Sequence, residues 1–268
     1  MKRLSSKKEN KKEEVLEKTS PLGLAKEQSN LLTNNSPFFV REAYKTLRTN
    51  VTFALTDEEK CKVIVVTSAL QSEGKSITGL NLAISYAMTD RKVLVIDCDL
   101  RRPKVARLLQ MNSKIGLTNL ILNQNLKDQA ILKTDVKGLD VILSGDIPPN
   151  PSELLGSPQM QRLINELRDE YDYIFLDAPP VNMVTDAVVL APKSDGVLFL
   201  VRANRSERGR VIHAIEQLHY AKAKILGFVL NDVDFERTSY GYGKYRYRGN
   251  YYGYGYGYQR TRSKLDTQ

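Results

Sequence analysis

Val63-Ile-Val-Val-Thr67-Ser-Ala69-Leu-Gln-Ser72-Glu73-Gly74-Lys75-Ser76-Ile77 passes from a β-branched run through a short polar turn into a helix-forming stretch. A buried strand followed by a turn ending in Gly-Lys-Ser is the strand–loop–helix context of a P-loop, because loop amides and the following helix N-terminus converge on phosphate oxygens. In that pattern Lys75 reaches the β- and γ-phosphates and the Ser76 hydroxyl faces a magnesium ion. Ala69 stands where the pattern has its first glycine.

Working outward, Val93–Ile96, Leu139–Leu143, Tyr173–Leu176, Val197–Val201 and Ile225–Leu230 repeat the character of Val63–Thr67. These runs are almost continuously apolar, as in parallel strands covered on both faces. Helical patterns over 75–88, 158–169, 184–191 and 206–221 alternate with them; the third could equally be short or broken. The βαβ rhythm gives an α/β fold with a doubly wound, mostly parallel sheet of the P-loop NTPase type. A further helix is expected from Glu42 to Leu55, with Ala43, Leu47, Val51 and Ala54 on one face and Glu42, Lys45 and Arg48 on another.

Acids end two of the strands. Asp97 and Asp99 follow Val93–Ile96 in Asp-Cys-Asp-Leu-Arg101, and Asp177 follows Tyr173–Leu176 in Asp-Ala-Pro-Pro180. Carboxylates at the ends of parallel strands project into the crevice where ligands bind. A helix cap would account for any one of them. It accounts poorly for three acids in one chain with a P-loop.

The chain has 268 residues and a formal net charge of +9, all of it at the ends. Residues 1–36 hold 8 Lys/Arg against 5 Glu, and residues 237–268 hold 7 against a single Asp, leaving 25 bases and 25 acids between them. The expected organisation is a flexible charged arm over 1–36, a folded domain over 37–236 and a flexible tail over 237–268. Nine of the 14 tyrosines stand in that tail, at 240, 242, 245, 247, 251, 252, 254, 256 and 258, interleaved with Gly and Arg. Cys61 and Cys98 are too few for a disulfide framework and suit a reducing cytoplasm. No signal peptide or apolar membrane span is visible.

Together the Gly-Lys-Ser loop, the hydrophobic run Val93–Ile96 with Asp97-Cys-Asp99-Leu-Arg101, and Asp177 resemble the three Walker-type motifs of the bacterial tyrosine kinases of capsule and exopolysaccharide synthesis. Pro148-Pro-Asn-Pro-Ser-Glu-Leu-Leu155 is similar to a segment of that family. The resemblance implies an ATP- and Mg²⁺-dependent protein-tyrosine kinase. Its nucleotide would meet Ala69, Ser72, Glu73, Gly74, Lys75, Ser76, Ile77 and Arg101. Ser76, Asp97 and Asp177 would organise Mg²⁺ directly or through water, and Asp99 would accept the tyrosine proton. Asn231 would contact adenine or simply end a strand. The acceptors would be Tyr240, Tyr242, Tyr245, Tyr247, Tyr251, Tyr252, Tyr254, Tyr256 and Tyr258.

Glu42-x-x-Lys45-x-x-Arg48 resembles the helix through which such kinases form rings, with Lys45 in place of the middle arginine. The implied partners are further copies of the chain, a separate membrane-embedded activator that recruits it to the inner face of the membrane, and a tyrosine phosphatase. Aromatic and basic residues on a tail can also bind single-stranded nucleic acid, but no such module is visible, and nucleic acid is not an expected partner. The main alternative is a spatial-positioning or partition ATPase of the MinD/ParA kind, which shares this fold, yet the extra P-loop lysine of those proteins falls at Leu70 here. A nucleotide switch without catalysis is the third reading.

Overall fold

The computed structural model describes residues 28–55 and 61–233. The tyrosine cluster at 240–258 and most of the basic arm lie outside them. In chain order the elements are α1 (Phe38–Ala54), β1 (Lys62–Ser68), α2 (Lys75–Ala87), β2 (Val93–Asp97), α3 (Val105–Leu109), α4 (Leu117–Leu122), α5 (Lys127–Ala130), β3 (Ile131–Lys133), β4 (Leu139–Ile142), α6 (Pro151–Gly156), α7 (Pro158–Arg168), β5 (Tyr173–Asp177), α8 (Asp186–Leu190), β6 (Gly196–Arg202), α9 (Arg208–Tyr220) and β7 (Ile225–Asn231). Among the described residues no helix is long and apolar enough to cross a membrane.

The strands form one sheet in the order β3-β4-β2-β5-β1-β6-β7. All neighbours are parallel except β3, which runs antiparallel to β4 at one edge. Central strands are apolar on both faces because both are covered. Val63, Val65, Leu94, Ile96, Ile174 and Leu176 pack into one core, and Ile64, Val66, Val93, Val95 and Phe175 into the other. Each such side chain removed from water contributes about 1.5–3 kcal/mol before the entropy of ordering it is counted. The chain leaves β1 toward β2 on one side and returns to β6 on the other, so the C-terminal ends of β1, β2 and β5 border the crevice of a doubly wound sheet.

The margins depart from the sequence reading. Ile131–Lys133 is too short and too polar to register as a strand, and it depends on β4 for its pairing. Helices α3, α4 and α6 have six residues or fewer and no measurable period. Over 184–191 the helix is the short α8, continued by a 3-10 turn at Ala191–Lys193. Outermost β7 is covered incompletely, leaving Phe228 and Leu230 55% and 60% exposed, because α9 buries only Ala214 and Leu218.

Helix α1 begins at Phe38, ahead of the expected Glu42, and its inward face is rotated. Tyr44, Leu47 and Val51 pack on the core, followed by Leu55 just past the helix, whereas Ala43 faces outward. Tyrosine offers more apolar area than alanine, and its hydroxyl has a partner in Asn81 at 3.1 Å. The boundary at residue 36 also moves: Leu32 is buried, and its N–H donates to Asn81 Oδ1 at 2.7 Å. Leu31 and Leu32, near the end of the segment read as an arm, therefore pack on the core.

Candidate active site

Between β1 and α2 the chain makes its phosphate-type loop with two left-handed residues, Ser72 (φ 63°) and Gly74 (φ 94°). Gly74 is required twice over, since a Cβ there would also overlap the Asn231 amide. The turn lets α2 start at Lys75, so the unpaired N–H groups of its first turn face the loop. Lys75 and Ser76 are each only 5% exposed, yet both line a cavity of about 160 Å³ with Ser72, Gly74, Ile77, Lys104 and Arg202. An adjoining cavity of about 340 Å³ extends past Asn30, Tyr44, Thr78 and Asn231. A larger cavity of about 600 Å³ lies away from the loop, among Lys92, Lys133, Asp140 and Tyr171.

The carboxylates gather beside Lys75 and Ser76. Asp97 and Asp177 are register partners on neighbouring strands and both are buried. Asp97 Oδ2 accepts the N–H groups of Lys104 and Val105, both at 3.0 Å, and its Oδ1 accepts Asp99 N–H at 3.2 Å. Asp177 differs: neither of its oxygens receives a hydrogen bond of ordinary geometry. Burial raises both carboxyls, that of Asp97 to about 8. For Asp97 the next cause is the charge of Asp177; for Asp177 the Lys75 ammonium and the Ser76 hydroxyl pull the other way. Lys75 Nζ stands 3.5 Å from Asp99 Oδ2, with both side chains nearly buried.

Two adjacent buried acids, one with orphaned oxygens, are costly unless a cation joins them. The donor set fits a hard ion such as Mg²⁺, which takes one or two carboxylates and fills its remaining positions with water and phosphate oxygens. Among the described residues no three or more His, Cys, Asp or Glu are grouped so as to hold a metal ion by themselves. Cys98, between the two acids in sequence, is fully buried, and burial with the surrounding carboxylates pushes its thiol up. It is a packing group.

Of the residues singled out from sequence, Ser72, Gly74, Lys75, Ser76 and Ile77 line the cavity, and Asp99 and Asp177 are buried beside Lys75, with Asp97 next to Asp177. Ala69 is fully buried behind the loop. Arg101 turns elsewhere: its Nε and Nη2 donate to buried Asp186 at 3.2 and 3.3 Å, and Nη2 also reaches Ser152 Oγ at 3.2 Å. It fastens the loop after β2 to α6 and α8. Asn231 donates to the Glu73 carbonyl at 3.0 Å while lining the adjoining cavity. Sequence reasoning missed Lys104 and Arg202, the other cations of the cavity. Arg202 ends strand β6, and the strand-end rule applied to acids would have found it.

On α1, Arg48 is drawn inward onto α2, where it donates to the carbonyl of Ser85 and, at 3.2 Å, to its hydroxyl. Glu42 and Lys45 pair on the surface at 2.7 Å. The three residues read as one outward face are thus divided between an internal tie and an exposed ion pair.

Residues 61–227 match the AAA domain family. Tyrosine-protein kinase YwqD of Bacillus subtilis is 38% identical over 216 residues, which cover 80% of this chain and 91% of that protein. The chain belongs to the bacterial tyrosine-protein kinases. Among solved structures, the kinase domain of Escherichia coli tyrosine kinase ETK superposes with a TM-score of 0.70 at 32% identity, covering 79% of this kinase and 86% of that chain. The cell division ATPase MinD of Pyrococcus furiosus matches with a TM-score of 0.54 at 23% identity, covering 63% and 71%, which shows a common fold. Sequence kinship thus lies with the tyrosine kinases, and the likeness to MinD is one of fold.

Proposed function

We propose that this kinase transfers the γ-phosphoryl group of Mg²⁺–ATP to the tyrosines between Tyr240 and Tyr258 of a neighbouring copy, and thereby regulates capsular or exopolysaccharide synthesis and chain length. The observation that carries this reading is the clustering of Lys75, Ser76, Asp99 and the Asp97–Asp177 pair behind one loop, with the Asp177 oxygens lacking a hydrogen bond of ordinary geometry. Lys75 binds the β- and γ-phosphates, and the loop amides with the start of α2 orient them. Ser76, Asp97 and Asp177 would hold Mg²⁺ directly or through water, and the ion would supply charge neutralisation on the transferred group. Asp99 gives up its contact with Lys75 to the incoming phosphates and accepts the proton of the tyrosine hydroxyl.

The tail of residues 237–268 presents its tyrosines to the loop of the next subunit, and its 7 bases against one acid leave it cationic until phosphates accumulate. Ring assembly through α1, a membrane-embedded activator at the inner face of the membrane and a tyrosine phosphatase complete this reading. Incubation with labelled ATP followed by an anti-phosphotyrosine blot tests it. The wild-type chain should label on several tail tyrosines, and Lys75→Met should not label; equal labelling of both would remove the assignment to this site.

A further inference from the structure

Inside the phosphate loop sits an acid, which on charge alone should repel a nucleotide. Glu73 is only 3% exposed, and its carboxylate is turned to the back of the loop. Oε2 accepts the N–H of Leu70 at 2.8 Å, and Oε1 accepts the hydroxyl of Ser206 from the β6–α9 connection. Ser206 Oγ in turn accepts Arg202 N–H at 2.8 Å. Two more ties reach the same turn from that side of the sheet. Arg202 Nη1 donates to the Ser72 carbonyl at 2.9 Å, and Asn231 Nδ2 donates to the Glu73 carbonyl. Arg202 is itself held by Asp232 at 2.8 Å.

We propose that Glu73 is a positioning residue for phosphoryl transfer, tying the phosphate loop through Ser206 to the ends of β6 and β7. The loop has Ala69 where the P-loop pattern has glycine and carries a non-glycine residue, Ser72, in the left-handed region. Its shape is therefore held from outside, by a carboxylate that closes the turn onto Leu70 and anchors it on Ser206. Hydrogen bonds to a charged acceptor are worth more than neutral ones, so the tie outweighs the strain of one left-handed residue. Facing away from the cavity, Glu73 fixes the amides and Lys75 that face into it.

The inference rests on the nucleotide reading of this loop, so the experiment includes Lys75→Met as a control, its ATP binding read by titration of a fluorescent ATP analogue alongside the wild type and the Glu73 variants. KM for ATP and kcat of autophosphorylation are measured for Glu73→Ala, Glu73→Gln, Ser206→Ala and the double variant Glu73→Ala/Ser206→Ala, each with a melting curve. Glu73→Ala should raise KM for ATP about tenfold with kcat changed much less, as expected when preorganised binding is lost. Glu73→Gln should rescue to within about threefold, since its amide oxygen accepts from Leu70 and its amide nitrogen donates to Ser206. Ser206→Ala should raise KM a fewfold, and the double variant should be no worse than Glu73→Ala, as for residues acting as one unit. A wild-type KM in Ser206→Ala, or a Gln variant as impaired as Ala, would overturn the proposal. Should Glu73→Ala not fold, those two variants still decide. If Lys75→Met binds ATP normally, the nucleotide reading itself fails; if only Lys75→Met loses binding, that reading stands and the role of Glu73 falls.

Discussion

Strand β1 at the centre of the sheet and helix α1 at its margin are both rich in apolar residues, and the fold treats them oppositely. Six of the seven residues of β1 are buried. Within α1 only Val51 is, while Phe38, Phe39 and Phe53 are 62%, 80% and 77% exposed. A strand flanked by two others with helices on both faces has nowhere to expose a side chain. A helix lying on one face of a sheet buries a single stripe, and whatever apolar surface remains is open to another molecule. Composition alone therefore reports burial faithfully at the centre and poorly at the edge.

The sharpest way to break that contrast is at the loop fed by β1. Lys75→Met should lower phosphotyrosine formation by about two to three orders of magnitude, as removal of a preorganised charge from a reaction centre does. Its melting temperature should stay near wild type, because no apolar contact is lost. A comparable fall in stability would mean that Lys75 is chiefly a structural partner of Asp99.

Next in size is a matched pair of truncations. Phe175→Ala, in the middle of β5 and 1% exposed, should cost about 3–5 kcal/mol in urea unfolding. Phe53→Ala on α1 should change stability by less than about 0.5 kcal/mol. If Phe53→Ala costs more at low concentration, α1 is more firmly covered by the chain itself than its exposure indicates.

The two acids should separate by readout. Asp177→Asn should weaken Mg²⁺-dependent binding of a fluorescent ATP analogue about tenfold or more, whereas Asp99→Asn should reduce transfer more than binding. Equal losses of binding in both variants would merge their roles.

The same pair of strand-end acids gives a smaller effect with a definite sign. Asp97 and Asp177 hold protons in the folded metal-free chain to higher pH than in the unfolded one, so the folded state binds more protons above the ordinary carboxylate range of about 4. Stability should then fall as pH rises from that range through the raised folded-state values, and Mg²⁺ with nucleotide should flatten the fall. Metal-free melting temperatures that rise with pH across this interval would contradict the shared desolvation of the pair.

Smallest is the effect of Lys45→Glu, which removes an exposed pair worth about 0–1 kcal/mol and should leave the subunit fold unchanged. Light scattering should nonetheless report a smaller assembly if this face meets a neighbour. Arg48→Glu is a different experiment, because it also removes the tie to Ser85.

What the sequence disclosed follows the same division. Val63–Val66, Val93–Ile96 and Ile174–Leu176 announce central strands because they are apolar without interruption, and Gly74-Lys75-Ser76, Asp97, Asp99 and Asp177 are bound to the ends of those strands by chain continuity. Arg101 and Arg48 turn toward partners distant in sequence, Asp186 and Ser85, which no local pattern reveals. The short β3 and the helices α3, α4 and α6 escaped because a few residues carry no periodicity.

Buried Asn81 bears on more than packing. From the middle of α2 its side chain holds Leu32 N–H, the carbonyl of Asn30 at 2.9 Å and the hydroxyl of Tyr44 on α1, while the same helix begins at Lys75. Helix α2 is thus common ground for the phosphate loop and for the helix expected to meet neighbouring copies. If occupancy of one end shifts the equilibrium at the other, the coupling free energy must be identical in both directions: subunit association would tighten ATP by the same factor by which ATP tightens association.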